Sequence, residues 1–347
     1  MQIFGKQAAR TYNAIDLMKF VLSVFVMIIH SGMDKTVISP LLRLAVPLFF
    51  IVSSYFFFAK NKKLTDKKEK QRALGRFVKR NIMLYVFWAV VQLPLVLFMR
   101  GYLAHLIPDG LCAIARDFVL GNGFTGSWYI LASVVGIAVS AWASKRISAG
   151  WFVLLTLPLY IFCCLVTNYW NLFGAASLVH TLADGYYRYT GLYVFTSFPV
   201  ALFWISVGRF LAEKKIEVKS RTLGGICGIC AVLLALERYL VVRYGLETTD
   251  DCYFLLIFLC PVIFLLVSRW KVTMVTRFRM REISALIYVT HGSCERVAGY
   301  ALKALPFDVW GQNAVKVAIA LVMIVVLGHL LIWLREKRDI RCLKYAC

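Results

Sequence analysis

Charged residues are scarce in this chain, and acidic residues are the scarcest of them. Only 17% of its 347 residues are charged, and 18 Asp and Glu stand against 40 Lys and Arg. The charges occur in short runs between apolar segments of about 17–22 residues, close to the length of a membrane-spanning helix. This repeated pattern excludes a soluble globular protein and predicts an all-α fold, a polytopic bundle of membrane helices.

Ten apolar segments predict about ten transmembrane helices in one membrane domain over residues 1–347. With the N-terminus inside, the inner segments hold 28 Lys and Arg and the outer loops hold six. This bias predicts that both termini are cytoplasmic. The predicted spans are residues 15–33, 40–59, 81–99, 126–144, 151–167, 191–211, 223–241, 252–268, 283–302 and 314–334.

The net charge of +22 does not indicate a nucleic-acid partner. The positive residues are segregated to one side of the predicted membrane, which insertion topology alone produces. Ten cysteines form no recognisable framework, and the CGIC pair Cys227 and Cys230 has no second pair or histidine cluster. We therefore expect membrane lipids as partners, and neither nucleic acid nor a metal.

Three polar side chains, Lys19, His30 and Arg43, fall inside the first two predicted spans. A charged side chain at membrane depth costs at least about 2.5–3.5 kcal/mol, so it faces protein or water and often serves function. Eleven residues make about three helical turns, so Lys19 and His30 share one face, roughly 16 Å apart. A polar stripe is therefore expected along the first helix.

Further polar residues lie in or beside later spans: Arg188, Glu237 and His291. Depth estimates would allow His30, Arg43, Arg188 and Glu237 to meet in one cavity in the outer half, with His291 nearer mid-depth. Glu237 is the expected partner of an arginine, because a buried charge without a partner is very costly. Structural roles, a helix-bridging His30 and an ion pair of Arg43 with Glu237, stay open as alternatives.

Two residues near span ends have a simpler interpretation. Arg209 and Lys316 are expected to extend toward the membrane interface.

The aromatic pair Trp128 and Tyr129 belongs either to an interfacial belt or to a stacking surface for a sugar-like ligand. In the basic 60–80 loop, Arg76, Lys79 and Arg80 share one helix face, either contacting anionic lipid or binding a polyanionic cofactor.

The first two spans together resemble a known family. Lys19 followed after ten residues by His30 resembles the first-helix signature of acyltransferase family three, the integral membrane acyltransferases that modify bacterial surface sugars. The segment RLAVPLFFIVSSYFF, which begins at Arg43, is similar to the second-helix pattern of that family. The chain departs from the family at two positions in particular. Ser54 replaces the usual glycine of the second-helix pattern, and Gly292 stands after His291 where proline is more usual.

The resemblance continues to about residue 334. SWYILA at 127–132, the block at 187–214 and IYVTHG at 287–292 are similar to later elements of the family, although Thr190 replaces an expected asparagine. Glu237 falls where the family has a membrane glutamate. The chain also resembles the membrane half of the vancomycin-resistance serine racemases.

The resemblance implies transfer of an acetyl or short acyl group from acetyl-CoA to a hydroxyl of an extracytoplasmic glycan or cell-wall acceptor, in a bacterial cytoplasmic membrane. His30 would be the general base, and Arg43 or Arg188 would stabilise the oxyanion or position the acceptor. Glu237 would orient the His30 ring or balance a nearby arginine, and Lys19 would line the path of the acyl-pantetheine arm. The phosphates of the donor would bind to Arg76, Lys79 and Arg80. The acceptor would be bound by Trp128, Tyr129, Arg188 and His291.

Two other functions stay open. Polar stripes inside a helix bundle also mark substrate and proton pathways, so a transporter of a small solute such as an amino acid is the main alternative. The chain shows no internal repeat, which many transporters have. A sensor or partner subunit without activity is the third possibility, because of the departures at Ser54 and Gly292.

Overall fold

The computed structural model describes residues 3–33, 37–99, 111–174, 176–270, 272, 279–303, 309–338 and 341–346. Within these ranges the chain is helical and contains no strand, which confirms the all-α prediction. The α-helices are α1 (Ile3–His30), α2 (Ser39–Leu42), α3 (Ala45–Asn61), α4 (Lys67–Met99), α5 (Leu111–Leu120), α6 (Trp128–Ala143), α7 (Ala149–Leu165), α8 (Leu178–Thr190), α9 (Phe198–Glu213), α10 (Ser220–Arg243), α11 (Leu256–Arg269), α12 (Met280–Leu302) and α13 (Val309–Arg338).

Each of the ten predicted apolar segments overlaps a helix, and the segment 40–59 covers both α2 and α3. By length and composition alone, four described helical stretches can cross a membrane: Ser39–Asn61, Lys67–Phe98, Ser220–Arg243 and Asn313–Arg338. Three shorter apolar helices are Trp128–Ala143, Ala149–Leu165 and Leu256–Arg269. The count of ten spans and the cytoplasmic termini stay predictions.

One predicted boundary is wrong. The segment 191–211 was expected to be one span, but its helix α9 begins at Phe198. Gly191 has a positive φ of 69° and ends α8 with a left-handed cap. A short 3-10 helix, Val194–Thr196, follows, and a proline in the first turn of α9 favours the helix start there.

The chain divides into two compact units, and neither is continuous in sequence. Unit 1 comprises Met1–Ile38, Arg80–Trp128 and Lys271–Cys347, and unit 2 comprises Ser39–Lys79 and Tyr129–Trp270. In unit 1, α12 packs against both α1 and α13. In unit 2, α9 packs against α3 and α7, and α11 contacts α10 and α3.

Close packing in unit 2 accommodates Ser54, at the position where the resemblance predicts glycine. Ser54 on α3 lies against Gly208 on α9, where an added Cβ would come 1.9 Å from the Ser54 hydroxyl oxygen. The hydroxyl donates instead to the Phe50 carbonyl of its own helix, at 2.8 Å. The missing side chain at Gly208 thus makes room for the serine that replaces glycine.

Candidate active site

His30 lies in a cavity of unit 1. It is the last residue of α1, is exposed, and lines a cavity of about 390 Å³. The cavity lies within the usual range for small-molecule sites, about 300–1,000 Å³. Other residues that line it are Thr125, Gly292, Glu295, Asn313 and Lys316.

A second histidine lies beside His30. The ring centroids of His30 and His291 are 5.1 Å apart, with 32° between the ring planes. His291 is fully buried, and its Nδ1 lies 2.8 Å from the Tyr288 carbonyl oxygen. A carbonyl only accepts, so Nδ1 carries the proton and Nε2 presents a lone pair. This Nε2 is buried and has no hydrogen-bond partner in the part of the chain that the structure describes.

Glycines allow close packing around His291. Gly126, at a φ of 78°, lies against the His291 ring, where an added Cβ would come 3.3 Å from Cε1. The Tyr288 hydroxyl donates to the Gly126 carbonyl at 2.9 Å. An added Cβ at Gly292 would lie 2.6 Å from the Thr125 side chain. Gly292, where the resemblance predicts proline, therefore allows the close contact between α12 and Thr125.

Lys316, which is expected to extend toward the membrane interface, makes hydrogen bonds to neighbouring residues of the chain. Its ammonium donates to the Ser31 carbonyl, and to Oδ1 of Asn313 at 2.9 Å. The Asn313 amide in turn donates to the Gly32 carbonyl at 3.2 Å. These contacts join the start of α13 to the residues that directly follow His30. Arg209 is buried in unit 2 and pairs with Glu213.

Lys19 belongs to a charged cluster in unit 1. The charges that act on it are those of Asp16, Arg281, Arg80 and Glu282. The polar stripe predicted along α1 therefore has a charged cluster at Lys19 and a cavity at His30, about 16 Å further along the helix. Arg281 is not among the predicted site residues; it lies just before the predicted span 283–302 and in the first turn of α12.

The donor-site residues predicted on the 60–80 segment are exposed. Arg76, Lys79 and Arg80 all lie on α4, three and four positions apart, so they share one helix face. Arg76 and Lys79 belong to unit 2, and Arg80 belongs to unit 1.

Arg43 lies in unit 2 and is held by acids. Its guanidinium contacts Asp250 and Asp251, each at 2.5 Å, and the Ser39 hydroxyl donates to Asp250. Burial alone would raise the pKa of Asp250, but Arg43 and the Ser39 hydroxyl outweigh it and hold the pKa below its ordinary value of 3.8. An ion pair of Arg43 with Glu237 was the expected alternative, and the structure shows other partners for both residues.

Glu237 accepts three hydrogen bonds in unit 2. The Tyr169 hydroxyl donates at 2.7 Å, and the backbone amides of Phe254 and Leu255 donate at 2.7 and 3.0 Å. Burial and then the bond to Glu237 raise the pKa of the Tyr169 phenol well above its ordinary value, so it stays a donor. The carboxylate therefore caps the chain just before α11, as acids often do at helix starts.

The remaining predicted site residues have varied surroundings. Arg188 is exposed in the last turn of α8, a helix that the sequence had left inside an outer loop. Trp128 is the first residue of α6 and is half-buried. The next residue, Tyr129, packs on Phe50 at 4.4 Å between ring centroids, and its hydroxyl lies 3.0 Å from that of Ser53. The predicted meeting of His30 with Arg43, Arg188 and Glu237 stays a prediction.

Comparison with known proteins adds a family to this geometry. A family model described as an acyltransferase domain matches residues 12–333. Two curated relatives, both amino-acid racemases of Enterococcus faecalis, are 20% identical over 260 and 336 residues, which is 71% and 94% of this chain. The matched regions are 34% and 46% of the relatives' own lengths, so the chain spans less than half of either. No solved structure gives a significant match.

Proposed function

Because this chain belongs to acyltransferase family three, we propose that it moves an acetyl or other short acyl group from acyl-CoA to a hydroxyl of an extracytoplasmic glycan or cell-wall acceptor. Acyltransferase activity and membrane character follow from the family and the apolar helices. The observation that carries the finer proposal is the exposed His30 in a cavity with His291 directly beside it.

His30 acts as the general base. Its imidazole takes the proton of the acceptor hydroxyl while the hydroxyl oxygen attacks the carbonyl carbon of the acyl thioester. The carbon–sulfur bond then breaks, and the CoA thiolate receives the proton that His30 held. A neutral imidazole suits both proton transfers near neutral pH.

His291 positions His30 rather than reacting itself. Its Nδ1 proton is committed to the Tyr288 carbonyl, so the buried Nε2 lone pair is available to accept a ring N–H. The adjacent His30 ring is the donor at hand. Such a bond fixes the His30 tautomer, so that the other ring nitrogen is the one that accepts the substrate proton. It also satisfies a buried polar atom that is otherwise costly.

The acyl donor binds near Lys19, in the middle of α1. Lys19, Arg80 and Arg281 supply positive charge there, and Arg76 and Lys79 extend it along α4. Phosphate groups are bound well by clustered cations. The distance from Lys19 to His30, about 16 Å, is comparable to the length of the pantetheine arm that carries the acyl group.

Arg43 and Glu237 remain candidates for direct roles in catalysis. Their contacts support a structural role, because two aspartates neutralise Arg43 and three donors satisfy Glu237. Arg188 is exposed and stays the better candidate to position an acceptor, together with Trp128 and Tyr129.

Transport of a small solute is the second candidate. It is favoured by the polar groups that α1 carries, Asp16 and Lys19 near its middle and His30 at its end. A transporter consumes no acyl donor, so the two functions differ in a measurable product.

The test measures CoA release from acetyl-CoA by the purified protein in detergent, with and without a crude cell-wall glycan fraction. Acceptor-dependent release that is lost in a folded His30→Ala variant is the expected result. Absence of release from folded wild type, together with solute uptake into proteoliposomes, would overturn the acyltransferase proposal in favour of transport.

A further inference from the structure

The cavity beside His30 is lined by cations. Arg296, Lys303 and Lys316 all line it, and Glu295 is its acidic lining residue. Arg296 and Lys303 are exposed and Lys316 is half-buried. Without His30, three positive side chains and one negative side chain give the cavity lining a net charge of about +2.

Arg296, Lys303 and Lys316 outnumber the acid that lines the cavity with them. Within the described residues, no ion pair joins any of the three to a carboxylate. Lys316 donates to two neutral oxygens, the Ser31 carbonyl and Oδ1 of Asn313. Lys303 lies over the Tyr300 ring, 5.1 Å from its centroid. Both arrangements hold an ammonium in place while leaving its charge available to a ligand.

We infer that the acceptor carries an anionic group, a carboxylate or a phosphate, near the hydroxyl that is acylated. This inference rests on the proposed function for the meaning of acceptor and narrows its chemistry. Lys316 and Lys303 bind the anion with Arg296, and the cavity places it beside His30. Charge-assisted hydrogen bonds are roughly twice as strong as neutral ones, so an anionic sugar is preferred over its neutral counterpart.

The test compares glucuronate with glucose, which differ at one carbon by a carboxylate in place of a hydroxymethyl group. Binding is measured as the shift in the thermal unfolding midpoint of the full chain in detergent, at equal ionic strength. The same two sugars are then offered as acetyl acceptors. Glucuronate is expected to bind about tenfold more tightly, a difference of about 1.4 kcal/mol, and to be the better acceptor.

Variants locate the effect. Lys316→Met and Lys303→Gln are each expected to lose most of the preference for glucuronate, whereas Lys316→Arg keeps it. If Lys316→Met fails to fold, Lys303→Gln still tests the inference, because Lys303 is exposed and its substitution should not disturb the fold. Lys344→Gln, an exposed lysine of the same unit outside the cavity lining, is the matched control and should behave as wild type.

Several results would overturn the inference. One is equal binding of glucose and glucuronate; another is a preference that survives in both neutral variants. A third is that phosphatidylglycerol in nanodiscs, and not the sugar, produces the shift, since the cavity would then bind a lipid headgroup. Acetyl transfer without a preference for glucuronate would contradict this inference alone. Preferred binding of glucuronate without acetyl transfer by wild type would contradict the proposed function alone.

Discussion

The His30 and His291 rings lie 5.1 Å apart, although α1 and α12 stand near opposite ends of the chain. His291 is fully buried, and the Tyr288 carbonyl fixes the proton on its Nδ1. The pair thus combines an exposed imidazole that can meet a substrate with a buried one that cannot. This asymmetry is the basis for assigning proton transfer to His30 and positioning to His291.

Substitutions of His291 separate its two nitrogens. Asparagine keeps a donor near Nδ1, whereas glutamine places an amide near Nε2. If the Nε2 lone pair orients His30, His291→Gln retains much more activity than His291→Asn. The expected change is in kcat, with little change in KM for acetyl-CoA, because the proposed donor site lies near Lys19 and not beside His291. Steady-state CoA release measures both constants.

His30→Ala sets the lower limit for this comparison, since loss of a general base costs about 10²–10⁴-fold. Equal activity of the asparagine and glutamine variants, with both folded as wild type, would exclude the positioning role. Loss of activity together with loss of thermal stability in both would indicate a packing role instead.

Arg43 is expected to matter first for stability. Arg43→Ala leaves Asp250 and Asp251 without their cation, and breaking a buried pair costs about 3–5 kcal/mol. The cost here is expected to be smaller, because the side chains keep 16% and 25% exposure for Arg43 and Asp250. A lower unfolding midpoint in detergent is the measurement, with the exposed Arg221→Ala as control. An unchanged midpoint with abolished transfer would place Arg43 in catalysis.

The same cluster predicts a pH dependence of stability. Arg43 and Ser39 hold the pKa of Asp250 below its ordinary value of 3.8 against the effect of burial. The folded state therefore favours the deprotonated form, and the stabilisation is fully present above pH 3.8. It is lost as the pH falls further, through the pKa of the folded state.

Thermal unfolding in detergent between pH 6 and pH 3 measures this dependence. Asp250→Asn is expected to start lower and to fall less on acidification than wild type. Parallel curves for the two proteins would contradict the account.

Two glycines in unit 2 should respond oppositely to the same change. Gly208→Ala places a methyl group against Ser54 and the Ile51 carbonyl and is expected to destabilise by about 1–3 kcal/mol. Gly228→Ala on α10 meets no atom within 4 Å and is expected to stabilise by up to about 1 kcal/mol. Unfolding midpoints of both variants test the prediction, and equal shifts of the same sign would refute it.

The sequence predicts the helices better than their contacts. Ten apolar runs mark ten helices, because membrane length and composition act locally along the chain. The sequence does not predict the amphipathic helices α5 and α8, since each is short and less apolar than a span. The start of α9 was misplaced because apolar residues around the left-handed Gly191 continue the hydrophobic run through a turn.

Polar residues at membrane depth marked His30 and His291 correctly as unusual, but only the fold brings their rings together. Arg43 and its partner Asp250 are 207 positions apart, so nothing in the sequence pairs them. A lysine near a span end can reach the membrane interface or bind a neighbouring segment, and Lys316 donates to the carbonyl of Ser31, the residue that follows α1.

The most direct measurement is transfer of a radiolabelled acetyl group from acetyl-CoA to a cell-wall glycan fraction by purified wild type, His30→Ala and His329→Ala. His329 is an exposed histidine on α13 in the same unit and is not among the residues that line the cavity. The account predicts labelled glycan from wild type and His329→Ala, and a loss of about 10²–10⁴-fold in His30→Ala. Equal labelling by all three folded proteins would contradict the assignment of His30 as the base.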